Sequence, residues 1–233
     1  MPSVLTVNLA RPRQNPDKVT AITGIDKLPT DEAVAVRSPG PMHGGLGSGL
    51  VADVIGNQQV HGGDDQAVYA YAREDLDDWQ AQLGRTLANG NFGENLTTSG
   101  VDVTGARIGE RWHVGSDGLV LEVTSPRIPC RTFAAFLELS GWIKTFTEAA
   151  IPGAYLRVIT PGTVRAGDRV VVSDRPDHDV TVGVVFRAIT REPDLLATLL
   201  DVDGLPDEIK EKARKRGTQP TPRVVKLADS DPS

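Results

Sequence analysis

The stretch LVLEVTSPRIPCRTFAAF, residues 119–136, joins a run of β-branched and aliphatic residues to a basic turn that carries the only cysteine of the chain. The first half predicts a β-strand, because short runs of this composition favour extended backbone. Pro126 and Pro129 then fix two φ angles and restrict the residues before them, so the turn is expected to be rigid. Six more short apolar runs are separated by Gly, Pro and Asp residues: VLTVNLA, AVAV, WHV, YLRVIT, RVVVS and VTVGVVF. Together they predict a mainly β fold, either a sheet or a barrel.

The composition limits the class of protein. The chain has 233 residues, and 39% of them are hydrophobic, which is enough for a buried core. A formal net charge of −6 argues against nucleic-acid binding, because phosphate neutralisation needs a dense basic face. A single cysteine excludes an intrachain disulfide and any multi-thiolate metal site. No apolar window has the length of a signal peptide core or a membrane span, so we expect a soluble, cytoplasmic protein with neither a nucleic-acid nor a membrane partner.

Two segments show helical patterns. In DDQAVYAYAREDLDDWQAQLG, residues 64–84, the apolar residues from Val68 to Leu83 have helical spacing, which predicts a helix that begins near Asp64 or Asp65 and ends at Gly84. The segment EPDLLATLLDVDGLPDEIKEKARKRG, residues 192–217, predicts two or three short helices with one leucine stripe. We expect that stripe to pack against its own protein, although a docking surface for a reductase is the alternative.

Cys130 is the first candidate for chemistry. Arg127 precedes it by three residues and Arg131 follows it directly, and neighbouring positive charge favours the thiolate, the form that acts as a nucleophile or metal ligand. The alternative is an ordinary small core residue, which lone cysteines usually are.

Three further positions are candidates for binding. His61 precedes Gly62 and Gly63, where close backbone approach and free N–H groups suit an anion; the alternative is a tight strand-to-helix turn. In ANGNFGENLTTSG, residues 88–100, Glu94 offers a carboxylate for an amino-pyrimidine edge, whereas a structural turn with a solvated glutamate is the alternative. Arg157 interrupts an apolar strand, so it either faces solvent or binds an acidic partner.

In order along the chain, the motifs HGG (residues 61–63), FGEN (residues 92–95) and PRIPC (residues 126–130) form a pattern that resembles MOSC domains, and within that family the YiiM-like proteins. The family is named after the C-terminal domain of molybdenum-cofactor sulfurase. The resemblance covers residues 30–173.

The resemblance implies a β-barrel-like fold with peripheral helices and a small C-terminal α-helical appendage. The MOSC barrel would occupy residues 1–184 and a three-helix appendage residues 185–216. A flexible tail would occupy residues 217–233. Ala52-Asp53 stands where the family pattern has Gly-Asp.

The resemblance also implies a site for the molybdenum cofactor, molybdopterin, with Cys130 as metal ligand and catalytic residue. Molybdopterin carries a phosphate, a dithiolene and a guanidine-like pterin edge, so its pocket needs cations, free N–H groups and a carboxylate. The candidate cofactor-binding residues are His61, Gly62, Gly63, Glu94, Asn95, Arg127, Arg131 and Arg157.

The activity that the resemblance implies is that of a molybdenum-dependent oxidoreductase. It would reduce N-hydroxylated small molecules of the hydroxylaminopurine or amidoxime type, with electrons from a separate reductase. Two other hypotheses stay open at this point. Cys130 could carry a persulfide without molybdenum, or the domain could bind the cofactor without turnover.

Overall fold

The computed structural model describes residues 1–19 and 21–217. The predicted tail therefore lies outside the described residues, except for Gly217, which ends the last helix. Within the described residues, the strands are β1 Ser3–Ala10, β2 Arg13–Gln14, β3 Ile22–Thr23, β4 Lys27–Thr30, β5 Val34–Val36, β6 Val68–Ala72, β7 Leu96–Ser99, β8 Arg111–Val114, β9 Leu119–Pro126, β10 Ala154–Thr160, β11 Gly162–Val164 and β12 Val170–Ser173. The α-helices are α1 Arg73–Leu83, α2 Arg131–Leu137, α3 Trp142–Ala149, α4 Val182–Thr190 and α5 Asp207–Gly217. Short 3₁₀ helices span Asp64–Gln66 and Pro193–Leu199.

One large sheet organises the chain. It has 8 strands in the order β12-β8-β9-β10-β6-β7-β1-β4. Adjacent strands of the sheet pair antiparallel except β6 and β7, which pair parallel. The sheet curls so that Ser3 of β1 forms a bridge with Arg169, beside β12, and the Val4 N–H donates to the Asp168 carbonyl at 2.8 Å. The mainly β prediction is confirmed, but the curled sheet is not a closed barrel: within the described residues, no full ladder joins β1 to the segment before β12.

Two hydrophobic clusters fill the molecule. The main cluster joins the inner face of the sheet to the C-terminal helices; it includes Val123 and Leu156 from the sheet and Val185 and Leu199 from the helical segments. The second cluster is aromatic and lies under α1, α2 and α3. The tryptophans Trp79, Trp112 and Trp142 are all at most 1% exposed, so all three are core residues.

The predicted helix over residues 64–84 is wrong in its first half. Val68–Ala72 is the strand β6, which is buried along its whole length between β10 and β7. A strand buried on both faces has no polar alternation, so its apolar run matches the spacing of the helix that follows it. The helix α1 begins only at Arg73, and Gly84 ends it with a positive φ of 62°, as predicted.

The prediction of a strand for VTVGVVF is also wrong. Thr181 caps the N-terminus of α4 by accepting a hydrogen bond from the Val184 N–H at 3.2 Å, and the segment continues as a helix. One face of α4 packs on β9. Burial of this face stabilises the helix although the β-branched residues of α4 have low helix propensity.

The C-terminal helices pack against the barrel core. Leu196 and Leu199 of the leucine stripe are 2% and 0% exposed, and both belong to the main cluster. The stripe therefore faces its own protein. The boundary at residue 185 stays a prediction, since α4 begins at Val182 and shares the core of the barrel. Among the described residues, no helix combines the length and the hydropathy that a membrane crossing needs.

Candidate functional site

A cavity of about 330 Å³ opens where four loops meet at one end of the sheet. One wall is the β2–β3 hairpin and the residues after it, and a second is the loop from Asp53 to Gly62. The turn from Arg127 to Thr132 forms the third wall, and Tyr69 and Tyr155 close the cavity from β6 and β10. The motifs that were far apart in sequence therefore line one space.

Two glycines bring the first two walls into contact. A Cβ atom on Gly24 would lie 1.9 Å from the Val54 carbonyl oxygen, and one on Gly56 would lie 2.1 Å from the Ile22 carbonyl oxygen. Only glycine permits such an approach of backbone to backbone. Ile22 and Val54 remain 58% and 38% exposed, so the rim of the cavity is apolar on this side.

Cys130 lies at the rim of the cavity, at the residue that precedes α2. Its backbone is extended, with φ −130° and ψ 169°, and its carbonyl accepts the first hydrogen bond of the helix from the Ala134 N–H at 3.1 Å. The thiol is half-buried against the aromatic cluster and faces the cavity on its other side. The prolines before it and the helix after it hold this position.

Arg127 is a buried cation beside Cys130. Its guanidinium stacks 4.1 Å from the ring centre of Phe133 and 5.2 Å from that of Tyr69, and it donates a hydrogen bond to the Phe92 carbonyl. Its planar fork also forms a side-chain hydrogen bond with Tyr69, and Arg127 lines the cavity. A buried guanidinium at the wall of a cavity suits an anionic ligand.

Arg131 has a different position from Arg127. It is 79% exposed and pairs with Asp17 of the β2–β3 hairpin at 2.9 Å. Next to it, the side chains of Asn15 and Thr132 are 3.1 Å apart. These contacts fix the hairpin to the segment that carries Cys130, so the main effect of Arg131 is to hold one wall of the cavity.

The floor of the cavity contains a buried ion pair that the sequence analysis missed. Lys27 Nζ lies 2.6 Å from Asp53 Oδ1. Asp53 Oδ2 accepts from Ser48 Oγ at 2.8 Å and from Asn95 Nδ2 at 2.9 Å. Burial lowers the pKa of Lys27, against the opposing effect of Asp53. Asp53 was noted only as part of the altered Gly-Asp motif, and Lys27 carries no local sequence signal.

Asn95 lines the cavity, but both ends of its side-chain amide are hydrogen-bonded within the protein. Its oxygen accepts from the Tyr69 N–H at 3.1 Å, while its nitrogen donates to Asp53. It therefore joins β6 to the floor of the cavity.

Glu94 does not line the cavity. It is 0% exposed, and its carboxylate accepts from the N–H groups of Gly90 at 2.5 Å and Phe92 at 3.0 Å and from Thr97 Oγ1 at 2.8 Å. Burial raises its pKa, in opposition to these hydrogen bonds. Glu94 shapes the loop whose Phe92 carbonyl binds Arg127.

Gly63 and Arg157 line a second, neighbouring cavity, and Gly62 lies between the two. Arg157 is bound by two carboxylates, those of Asp65 and Glu122, the latter at 2.9 Å. Of the candidate binding residues, the structure thus brings His61, Gly62, Asn95, Arg127 and Arg131 together around Cys130. It places Gly63, Glu94 and Arg157 elsewhere.

His61 presents a neutral imidazole to the main cavity. Burial, with a contribution from the charge of Arg127, lowers its pKa. No hydrogen bond to either ring nitrogen occurs within residues 1–19 and 21–217. The cavity therefore combines an unbonded imidazole and a thiol with the buried cations Arg127 and Lys27.

This site lies on a fold of known class. The model of the MOSC domain family matches residues 57–171. YflK, an uncharacterised protein of Bacillus subtilis, is 31% identical over 181 residues, which cover 77% of each chain. The crystal structure of YiiM from Geobacillus stearothermophilus superposes with a TM-score of 0.74 at 24% identity, and covers 93% of this chain and 100% of that one.

The chain belongs to the MOSC domain family, and its fold is that of the YiiM-like members. A protein of Gibberella moniliformis that is named a reductase is 28% identical over 189 residues. The match covers 76% of this chain but only 33% of that protein, which is much longer. The resemblance stated from the motifs is confirmed.

Proposed function

We propose that this MOSC protein binds a molybdenum cofactor in the main cavity, with Cys130 as the metal ligand, and reduces N-hydroxylated small molecules. The observation that carries the proposal is that a half-buried thiol shares one cavity with two buried cations, Lys27 and Arg127. MOSC domains are associated as a family with the molybdenum cofactor, and the longer fungal relative is named a reductase.

The donor set fits such a cofactor. A thiolate is a soft ligand that suits molybdenum. The guanidinium of Arg127 and the ammonium of Lys27 suit the negative charge of a phosphate and a dithiolene. A neutral His61 can accept or donate one hydrogen bond at the same wall.

When it is bound, the cofactor supplies the two-electron redox chemistry. The residues of this chain bind and orient it and exclude water, which is the usual share of the protein in cofactor chemistry. Reduction of an N–OH group consumes two electrons and two protons and gives the amine and water. The electrons come from a separate reduced carrier of the flavin or iron–sulfur class.

The decisive experiment measures molybdenum by elemental analysis and pterin by fluorescence after oxidation, on protein made in a host that synthesises the cofactor. We expect near-equimolar molybdenum in the wild type and its loss in Cys130→Ala. The control is Ile128→Ala, a change on the same turn at a side chain that is 45% exposed and outside the cavity lining. It should retain the metal.

Two results would overturn the proposal. One is wild-type protein without molybdenum; a persulfide on Cys130 under those conditions would favour a sulfur carrier. The other is wild-type protein with molybdenum that leaves benzamidoxime and 6-hydroxylaminopurine unchanged in the presence of reduced viologen, which would favour a binding module without turnover.

A further inference from the structure

The chain contains three tyrosines, and two of them have hydroxyl groups with partners in the protein. The Tyr69 hydroxyl donates to the Pro152 carbonyl at 2.8 Å. The Tyr71 hydroxyl donates to the Ile151 carbonyl at 2.8 Å and accepts from Trp79 Nε1 at 3.0 Å. Both hydroxyls therefore serve the fold.

Tyr155 is different. Its side chain lines the main cavity, and its hydroxyl makes no hydrogen bond to any part of the chain that the structure describes. Its ring is held in place by the Tyr69 ring, with 5.1 Å between centres, and its backbone is held on both sides by β6 and β9. Tyr155 is half-buried, and a tyrosine hydroxyl that lies at a cavity without a partner in the protein is free to bind a ligand there.

The phenol also lies beside the groups that carry the proposed chemistry. The charges of Arg127 and Cys130 both act on its pKa, which burial raises above the ordinary value for tyrosine. The hydroxyl therefore keeps its proton at neutral pH and remains a donor.

The other titratable groups of the cavity are less available to a substrate. Arg127 does not lose its proton in proteins. Lys27 is held in an ion pair with Asp53. Burial lowers the pKa of His61, which disfavours its imidazolium form.

We propose, on the basis of the reductase function proposed above, that Tyr155 is a catalytic residue whose hydroxyl donates a hydrogen bond to the oxygen of the substrate N–O bond and then protonates it. The N–O bond breaks, two electrons from the reduced carrier enter the substrate, and the oxygen leaves as water. One proton comes from Tyr155, which regains it from solvent, and the second comes from solvent to nitrogen. The sum is R–NHOH + 2 e⁻ + 2 H⁺ → R–NH₂ + H₂O.

The test compares Tyr155→Phe with the wild type as full-length, cofactor-loaded protein. With benzamidoxime and reduced viologen, kcat/KM should fall by about 10²-fold, the lower range for loss of one proton donor. In the absence of an electron donor, the affinity for benzamidoxime should fall by about tenfold, while the affinity for benzamidine, which lacks the N–OH group, should not change. Molybdenum content should equal that of the wild type.

The control is Tyr71→Phe, which also removes one hydroxyl but lies outside the cavity. It should keep kcat/KM within about twofold and lower the Tm by about 2–6 °C, because a buried hydrogen-bond pair is lost. Tyr155→Phe should keep the wild-type Tm.

The outcomes separate this inference from the proposed function. If the wild-type protein is active and the Tyr155→Phe variant is equally active, the proposed role of Tyr155 is wrong and the proposed reductase function stands. Loss of molybdenum in Tyr155→Phe would make Tyr155 a cofactor-binding residue instead of a substrate donor. Wild-type protein that contains molybdenum but does not act on any N-hydroxylated compound would overturn both.

Discussion

Lys27 and Asp53 form an ion pair at the floor of the cavity, with 2.6 Å between Nζ and Oδ1 and side-chain exposures of 7% and 1%. Asp53 also accepts hydrogen bonds from the Ala10 N–H at 2.9 Å and from Ser48 and Asn95. Burial alone would raise the pKa of Asp53, but the Lys27 ammonium and these donors hold it below the ordinary value. One carboxylate therefore connects four segments of the chain around the cavity.

We predict that Asp53→Ala lowers the free energy of unfolding by about 3–5 kcal/mol, because it leaves the Lys27 charge buried without a partner. Urea unfolding at pH 7 measures this. The double variant Lys27→Met/Asp53→Ala should recover part of the loss. As a control, Glu148→Ala removes the exposed partner of Lys144, at 3.8 Å, and should cost less than about 1 kcal/mol. An equally small effect of Asp53→Ala would contradict the prediction.

Ala52 precedes Asp53 and has a φ of 69°, in the left-handed region that favours glycine. We predict that Ala52→Gly raises the free energy of unfolding by about 0.5–1 kcal/mol, because relief of the strain exceeds the entropy that glycine adds to the unfolded chain. Thermal unfolding measures the shift. The same substitution at the exposed helical residue Ala81 should instead destabilise by about 1 kcal/mol. Destabilisation at both positions would show that Ala52 is not strained.

Glu94 accepts three hydrogen bonds inside the loop that contacts Arg127. We predict that Glu94→Gln lowers the free energy of unfolding by about 1–3 kcal/mol. The amide nitrogen replaces one carboxylate oxygen and cannot accept the hydrogen bond that this oxygen accepted. Chemical denaturation measures the loss, and the near-ultraviolet circular dichroism should change as the loop shifts. Glu74→Gln is a matched control, because the exposed Glu74 carboxylate also accepts from a serine hydroxyl and a glycine N–H. If both variants cost the same, burial of Glu94 does not have the effect assigned to it.

Burial and the nearby charges of Asp102 and Asp78 raise the pKa of Asp75 to about 6. This folded-state value lies above that of the unfolded chain, so the fold favours the protonated form of Asp75. The stability that protonated Asp75 contributes is fully present below pH about 4 and is lost as pH rises through about 6. We predict that Asp75→Asn stabilises the protein by about 1–2 kcal/mol at pH 7.5, discounted for partial exposure, and has almost no effect at pH 4. Urea unfolding at the two pH values measures the difference.

The exposed Asp31 provides the control for that measurement, because Asp31→Asn should change stability little at either pH. An Asp75→Asn effect of the same size at pH 4 and pH 7.5 would mean that ionisation of Asp75 is not its cause.

Local sequence predicted the elements whose pattern is complete within a few residues. The strand before Cys130, the end of α1 at Gly84 and the C-terminal helices follow from composition, glycine and proline positions and apolar spacing. The strand Val68–Ala72 was not predictable in this way. Burial on both faces removes the polar alternation that identifies a strand, and only its place in the middle of the sheet reveals the reason.

The sequence by itself determined the family, through three motifs in order, and it determined that one thiol lies in a rigid turn between two arginines. The tertiary structure decided which polar groups are free to bind a ligand. Glu94 resembled a binding residue but is satisfied within its own loop, while Lys27 and Tyr155 had no local signal and line the cavity. The reason is physical: whether a donor or acceptor is already satisfied depends on partners from distant segments, and only the fold brings those partners together.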